Sequence, residues 1–233
     1  MRARLRFRRP RRREPEHYPP GPLRELAAAP PAGDHTPVAA VAFLALDVET
    51  TGLDPRTDHL LSVGWVPVVG REVVLAEACE ITIRPPGEVD VGPSATFHRL
   101  TDDQLAEAAP LSEVLPRLLA ALRGRVLLAH HAPLELGFLA EASLAAYGAR
   151  PTVTAVDTLA LQQRLLPDHD REVDGVLRLD AARRAYGLPR YTAHHALTDA
   201  LAAGELFLAQ VAELERRLGR EVRLGDLSPA HSG

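Results

Sequence analysis

Two acidic residues, Asp47 and Glu49, stand one residue apart at the end of an apolar run. The run, Val41 to Leu46, is typical of a strand that is covered on both faces. Because alternate side chains of a strand share a face, the two carboxylates point the same way and repel each other unless a cation lies between them. The pair indicates a divalent-metal site. The alternative is two solvated acids before the Thr-Thr-Gly turn at residues 50–52.

Three further side chains that could bind a metal ion or transfer a proton lie at the ends of predicted elements. Glu135 falls in the first turn of a predicted helix, where the helix dipole alone would favour an acid. His194 and Asp199 are five residues apart, about 500° of helical rotation, so they cannot share a site if both are helical. If His194 precedes the helix and Asp199 lies in its first turns, both can face one cleft.

Separated carboxylates and a histidine are the groups that metal-assisted phosphodiester hydrolysis requires. Two divalent cations about 4 Å apart stabilise the attacking and leaving oxygens of such a reaction. Hard oxygen ligands suit Mg²⁺ or Mn²⁺. A neutral histidine, with an ordinary pKa of about 6.5, can accept a proton from the attacking water near neutral pH. The residue types therefore predict two divalent cations as cofactors.

The elements that must position these groups follow an order typical of an α/β fold. The predicted strands are Val41–Leu46, Leu60–Val69, Glu72–Ile83, Val126–Ala129 and Val153–Val156. The predicted helices are Thr101–Ala108, Leu111–Leu122, one from Pro133 to a stop at Gly148, Asp180–Tyr186, and one from about Ala196 to Leu218. Three consecutive strands followed by two helix-linked strands predict a mixed five-stranded sheet flanked by helices.

Length and charge divide the chain into three parts. With 233 residues, 46% of them hydrophobic, one core with tails is expected. Residues 1–40 are rich in Pro and hold nine Arg against four acids, which predicts a basic, mostly disordered arm. The arm could lie along phosphates or be a solvated tail, and deleting residues 1–36 is expected to separate its effect from catalysis. Residues 41–220 form the predicted domain, and residues 221–233 a short polar tail.

The cellular setting is indicated by two absences from the sequence. Cys79 is the single cysteine, so no intrachain disulfide can form, and a reducing cytoplasmic location is expected. No segment approaches the roughly 20 apolar residues of a membrane span, so no membrane partner is expected.

From about Phe43 to Gln210 the chain resembles the DEDDh 3′-to-5′ exonucleases, which include the proofreading epsilon subunit of bacterial DNA polymerase III. The first motif looks like Asp47-Val-Glu-Thr-Thr-Gly, and the third looks like His194-His-Ala-Leu-Thr-Asp. Between them, Phe97-His98-Arg-Leu-Thr is similar to the family's His-Gly-Ile-Thr segment. The resemblance implies an RNase H-like fold and makes residues 41–220 an exonuclease domain.

Roles follow from the resemblance position by position. It implies that Asp47, Glu49 and Asp199 hold a metal ion beside the attacking water, with Asp47 also reaching a second ion. It implies that His194 is the general base. The substrate-binding positions that it implies are Thr50, Thr51 and Gly52, through main-chain groups near the terminal nucleotide, and His98, against the sugar or base.

The second motif departs from the family pattern. This chain has His130-His-Ala-Pro-Leu-Glu where the family usually has His-Asn-Ala-x-Phe-Asp. Glu135 keeps the charge and adds one methylene, and we predict that it still binds the second ion.

The resemblance implies an enzyme that releases nucleoside 5′-monophosphates from nucleic-acid 3′ ends. Single-stranded DNA is the favoured substrate, and the enzyme would act alone or as a proofreading subunit beside a polymerase. The alternatives are an RNA-directed exoribonuclease of the same family and a catalytically weakened nucleic-acid-binding or scaffold protein on the same fold.

Overall fold

The computed structural model describes residues 13–87, 102–167, 175–192 and 195–227. The strands are β1 (Ala42–Thr50), β2 (Leu60–Val69), β3 (Glu72–Val73), β4 (Cys79–Arg84), β5 (Ala109–Pro110), β6 (Val126–Ala129) and β7 (Ala155–Asp157). The α-helices are α1 (Pro22–Ala28), α2 (Asp102–Glu107), α3 (Leu111–Leu122), α4 (Pro133–Tyr147), α5 (Thr158–Leu165), α6 (Leu179–Ala185) and α7 (Ala196–Leu218). Within these ranges, no helix combines the length and the apolar composition needed to cross a bilayer.

The strands form one mixed sheet in the order β5-β4-β2-β1-β6-β7, with β3 paired to β2. β1, β2 and β4 are antiparallel neighbours, whereas β6 and β7 continue the sheet in parallel with β1. The predicted mixed α/β architecture is confirmed, but the number of strands differs. A 3₁₀ turn at Leu75–Glu77 divides the predicted strand Glu72–Ile83 into β3 and β4, and β5 adds a two-residue edge. The sheet therefore has seven strands rather than five.

The side chains of β1 alternate between two hydrophobic clusters, one on each face of the sheet. Leu44 and Leu46 pack into the cluster that contains buried residues of α3 and α4. Phe43 and Ala45 pack into the cluster that contains buried residues of α5 and α7, where the rings of Phe43 and Phe207 lie 4.7 Å apart between centroids. Because residues i and i+2 share a face, the row that begins with Phe43 continues toward α7 at the end of the strand.

The region before β1 differs from the expectation of a disordered arm. Tyr18 and Leu23 are each 2% exposed, and Leu26 is 8% exposed, in the cluster that includes residues of α3. The Arg24 guanidinium donates two hydrogen bonds to the carbonyl oxygen of Tyr18, at 3.0 and 2.7 Å. A seven-residue helix is too short to be stable alone, so α1 owes its order to tertiary packing, which local composition does not reveal. For residues 13–40 the prediction of disorder was wrong, and residues 1–12 lie outside the described residues.

The predicted polar tail is likewise part of the core as far as residue 227. Val222, Leu224 and Leu227 are buried, at 0%, 1% and 5% exposure. The Val38 N–H donates to the Val222 carbonyl, and the Leu224 N–H donates to the Thr36 carbonyl. Residues 36–38 and 222–224 thus hold each other in place, and the deletion of residues 1–36 would remove core side chains as well as charge.

Candidate active site

Asp47, Glu49 and Asp199 meet at the end of β1, as the sequence predicted for three of its site residues. One ligand oxygen from each carboxylate lies within 4.8 Å of the others. Asp47 and Glu49 continue the β1 row that faces α7, and Asp199 comes from the first turn of α7. Three carboxylates at this separation can share a divalent cation, because oxygen ligands of one ion are neighbours across its coordination shell.

The start of α7 explains how Asp199 reaches the strand. The helix begins at Ala196 with His195 as its N-cap residue, and the Asp199 N–H donates to the His195 carbonyl at 2.9 Å. The predicted helix start is therefore confirmed, and His194 precedes the helix in the chain. His194 itself, the predicted general base, lies outside the described residues, as does His98, the predicted sugar or base contact.

A glycine in β2 lets α7 approach the sheet closely. A Cβ added to Gly64 would lie 2.1 Å from the Leu197 nitrogen and 2.2 Å from the Ala196 carbonyl carbon. Both of these atoms belong to the backbone, which cannot move aside as the end of a side chain can. Gly64 is also the β2 partner of Asp47. The absence of a Cβ at Gly64 thus allows the first turn of α7, with Asp199, to lie over the strand pair that carries Asp47.

Glu80 extends this row across the sheet. In β4 it pairs with Gly64, so Glu80, Gly64 and Asp47 lie side by side and face α7. Its Oε1 accepts a long hydrogen bond, 3.5 Å, from the Leu197 N–H. His195 gives no side-chain cap, so Glu80 supplies a carboxylate to an N–H of the first helical turn. Sequence reasoning missed Glu80, because its role depends on strand register rather than on a motif.

Glu135 approaches the site from α4 on the other side of the sheet end. It is 2% exposed and borders a small apolar pocket with Leu46 and Val48. Its Oε2 has no hydrogen-bond partner among the described residues, although it is fully buried. A buried carboxylate oxygen without a partner is costly, which favours a ligand at that position. Glu135 is not one of the three residues whose oxygens lie within 4.8 Å of one another.

The pKa shifts show that these negative charges act on one another. Burial raises the pKa of Asp47 well above its ordinary value, and the charges of Glu135, then Glu49, Asp199 and Glu80, raise it further. The charge of Glu135 is therefore one of those that raise the pKa of Asp47. Burial also raises the pKa of Glu135 to about 8, with a smaller contribution from Asp157. Divalent cations would offset this accumulated charge.

The predicted substrate loop, residues 50–52, is ordered by an acid that sequence reasoning missed. Asp58 Oδ1 accepts a hydrogen bond from the Thr51 hydroxyl at 3.3 Å, and its Oδ2 accepts one from the Asp54 N–H at 2.8 Å. A Cβ on Gly52 would lie 2.5 Å from the same carboxylate. The Thr50 hydroxyl donates to the Gly52 carbonyl at 2.6 Å. The Thr50 hydroxyl is therefore bonded within the loop, and the Thr51 hydroxyl is bonded to Asp58.

The second motif is anchored by two side chains at the start of α5 and by one main-chain carbonyl. His130 Nδ1 lies 2.8 Å from the Thr158 hydroxyl, and its Nε2 lies 2.8 Å from the Leu177 carbonyl. Burial lowers the pKa of His130. The His131 N–H donates to Asp157 Oδ1, which also accepts hydrogen bonds from two N–H groups at the start of α5. Asp157 therefore serves structure, and it fixes the turn that precedes Glu135.

Comparison with known proteins finds a matching family model and related sequences. Residues 44–207 match the family model described as "Exonuclease". The PolC-type DNA polymerase III of Thermotoga maritima is 30% identical over 197 residues, which are 84% of this chain but 13% of that protein. The DNA polymerase III subunit epsilon of Treponema pallidum is 31% identical over 180 residues, or 77% of this chain and 80% of that protein. The chain thus spans about an eighth of the PolC-type relatives that it matches.

Solved structures show the same fold at lower identity. Escherichia coli exonuclease I in complex with a dT13 oligonucleotide superposes with a TM-score of 0.63 and 16% identity, over 76% of this chain and 42% of that one. Exonuclease X in complex with 5′-overhanging duplex DNA superposes with a TM-score of 0.59 and 19% identity, over 79% of this chain and 98% of that one.

Proposed function

Because this chain belongs to the exonuclease family, we propose that it is a metal-dependent 3′–5′ exonuclease that releases nucleoside 5′-monophosphates. The observation that carries the proposal is the convergence of the Asp47, Glu49 and Asp199 oxygens within 4.8 Å of one another. Two of these residues come from one strand and the third from a helix about 150 residues later, so the cluster is a product of the fold.

The donor set fits two hard divalent cations, Mg²⁺ or Mn²⁺. Asp47, Glu49 and Asp199 would hold the first ion, and Asp47 and Glu135 would hold the second. The buried Glu135 Oε2, which has no hydrogen-bond partner among the described residues, is the observation that supports this fit. When bound, the ions would supply charge stabilisation to the attacking and leaving oxygens of an in-line displacement.

The protein's own groups would perform the remaining steps. His194 would accept the proton of the attacking water, since a neutral imidazole is present near neutral pH. The carboxylates would fix the geometry of the scissile phosphate relative to that water. The loop at residues 50–52, whose threonine hydroxyls already bond to Gly52 and Asp58, would offer main-chain groups to the terminal nucleotide. His98 would contact the sugar or base of that nucleotide.

Single-stranded DNA is the proposed substrate. The exonuclease I structure that shares the fold holds a dT13 oligonucleotide. Residues 41–233 hold 18 Arg against 27 acids, so this part of the chain has no excess of positive charge to grip a long polyanion. We propose that binding depends mainly on the 3′ end. Proofreading beside a polymerase in the cytoplasm is the proposed setting, supported by the epsilon-subunit and PolC-type relatives.

The test is hydrolysis of a 5′-labelled single-stranded DNA oligonucleotide in Mg²⁺ or Mn²⁺, with EDTA and the Asp47→Ala variant as controls. We expect a ladder of products shortened from the 3′ end by the wild type alone, with nucleoside 5′-monophosphates released. The same assay with an RNA oligonucleotide of matched sequence separates the exoribonuclease alternative. Binding without metal-dependent shortening would favour the scaffold alternative and overturn the enzyme proposal.

Glu135 is tested separately because it departs from the family pattern. If it binds the second ion, Glu135→Gln lowers Mn²⁺-dependent turnover by about 100-fold or more, since the carboxylate is lost from the reacting centre. Glu135→Asp restores the family residue and is expected to retain far more activity than Glu135→Gln. Unchanged turnover in Glu135→Gln would remove Glu135 from the ligand set without affecting the proposal for Asp47, Glu49 and Asp199.

A further inference from the structure

A buried arginine joins α6 to α7 and to the segment between them. Arg183 in α6 is 3% exposed. Its Nη1 donates to the Ala202 carbonyl in α7 at 2.7 Å, and its Nη2 donates to the Pro189 carbonyl at 2.9 Å. Nη2 also lies 2.8 Å from Glu205 Oε2 in α7. One guanidinium thus bonds to three acceptors in two different parts of the chain.

Tyr191 contacts both Arg183 and Glu205. Its ring lies under the Arg183 guanidinium, with 4.5 Å between Cζ and the ring centroid. Its hydroxyl donates to Glu205 Oε1 at 2.9 Å. The two oxygens of Glu205 therefore bind Arg183 and Tyr191 separately, and the three side chains complete a closed triangle. We call this triangle of Arg183, Tyr191 and Glu205 the clamp.

The clamp joins the segment that precedes the proposed base in the sequence to the helix that carries Asp199. Tyr191 is three residues before His194, a distance that the chain can span with at most about 11 Å. On α7, Ala202 is one turn beyond Asp199, and Glu205 follows it on the same helix. The clamp therefore fastens Pro189 and Tyr191, which come shortly before His194 in the sequence, to the helix that carries Asp199.

A guanidinium at this depth is not explained by stability alone, although its partner Glu205 keeps 27% of its side chain exposed. Well-packed apolar side chains often replace a buried ion pair without loss of stability, because removing two charges from water is costly. The planar fork of arginine can serve three fixed acceptors at once, which a lysine or an apolar side chain cannot do. Arg183 is therefore suited to fixing the positions of the groups that it bonds.

We propose that the clamp of Arg183, Tyr191 and Glu205 consists of positioning residues that hold the segment before His194 at a fixed place against α7. The proposal rests on the exonuclease function and on His194 as its general base. The clamp acts through His194 rather than on the substrate. Its effect is on the distance between the base and the attacking water, to which turnover is sensitive at the scale of 1 Å.

The experiment compares Arg183→Met, Arg183→Lys and Tyr191→Phe with Arg184→Met as the matched control. Arg184 neighbours Arg183 on α6, but its ion pair with Asp180 is exposed, so its removal leaves the clamp intact. Hydrogen exchange of the peptide covering residues 186–195 reports order in the segment. Hydrolysis of single-stranded DNA, at saturating Mn²⁺ and well below the melting temperature of each variant, reports kcat and KM.

We expect Arg183→Met to accelerate exchange in this peptide and to lower kcat by about 10- to 100-fold, with KM changed much less. Tyr191→Phe, which keeps the ring, is expected to give a smaller effect in the same direction, Arg183→Lys partial rescue, and Arg184→Met no change. The deficit in kcat should shrink at high pH, because attack by hydroxide ion needs no general base. A mere loss of folded protein would give the same deficit at every pH.

The outcomes separate the two proposals. Unchanged exchange in Arg183→Met, or faster exchange with an unchanged kcat, would overturn the clamp while leaving the exonuclease function intact. If the wild type shows no metal-dependent shortening, the function and the catalytic part of the clamp proposal fail together. The exchange data then still decide whether the clamp orders the segment.

Discussion

Replacing Gly64 with alanine tests whether the approach of α7 to β2 places Asp199. The added Cβ would lie 2.1 Å from the Leu197 nitrogen, whereas ordinary contacts begin at 3.4 Å. The first turn of α7 must therefore move by about 1.3 Å, because the obstacle is backbone. The rest of α7 is held by buried side chains such as Phe207 and Val211, so the helix is expected to tilt at its start.

The displacement acts on both stability and chemistry. Overpacking of this kind costs about 1–3 kcal/mol of unfolding free energy. A shift near 1 Å at Asp199 exceeds the roughly 0.2 Å tolerance of a metal site, and a misplacement of that size can cost about 100-fold in rate. We therefore expect Gly64→Ala to stay folded at 25 °C, to bind Mn²⁺ more weakly at the Asp47 cluster, and to lose about 100-fold in kcat/KM.

The matched control is Gly204→Ala, in the middle of the same helix. A Cβ there would lie 3.3 Å from Val68 Cγ2 and 3.5 Å from Ala45 Cβ, which are tight to ordinary contacts with side chains. Alanine also favours the helix by about 1 kcal/mol over glycine. Calorimetric Mn²⁺ titration and oligonucleotide hydrolysis, with circular dichroism melts, compare the two variants. Mn²⁺ affinity and turnover within twofold of wild type in Gly64→Ala would refute the reasoning.

Three further measurements test other parts of the site. In EDTA, Asp47→Asn is expected to raise the melting temperature, because it relieves repulsion among converging carboxylates. In Mn²⁺, the variant is expected to lack the rise in melting temperature that the wild type shows. Equal Mn²⁺-induced shifts in both proteins would contradict this. Asp58→Ala is expected to raise KM for a DNA 3′ end about tenfold with less effect on kcat, since it frees the loop at residues 50–52. Steady-state kinetics, with Arg56→Ala as the control, measure both constants. The Arg220 ion pair lowers the pKa of Asp226 to about 2, below its ordinary 3.8, so the stability that it adds is present above pH 4 and is lost as the pH falls toward 2. Asp226→Asn should therefore cost about 0.5–1 kcal/mol at pH 7, as for a largely exposed pair, with the difference from wild type shrinking in urea melts toward pH 3.

The sequence predicted those elements that carry their own local signals. α3 and β6 have the predicted bounds, and α4 begins at Pro133 and ends before Gly148, which has a left-handed φ of 70°. A proline at the first helical position and a glycine after the last mark such a helix without tertiary information. α5 was missed, although Asp157 is its N-cap and accepts two N–H groups.

The features that sequence reasoning missed depend on contacts between distant parts of the chain. α1 is ordered because its leucines pack near α3, and residues 222–224 are ordered because they bond to residues 36–38. Glu80 is placed by strand register, and Arg183 by acceptors on two other segments. Apart from Pro189, which is six residues from Arg183, these partners are distant in sequence, and no periodicity indicates the contacts.

The revised boundary changes how the basic arm must be tested. Deleting residues 1–36 would remove Tyr18, Leu23 and Leu26 from the core, so a loss of DNA affinity would not distinguish charge from misfolding. Residues 1–12 hold seven of the nine Arg of the arm and no acid, so most of the basic charge of the arm precedes the first described residue. Deleting residues 1–12 alone is expected to weaken binding to long single strands at low salt and to leave turnover of a short oligonucleotide unchanged. A steep salt dependence of binding that survives this deletion would show that the phosphates are held by the folded domain.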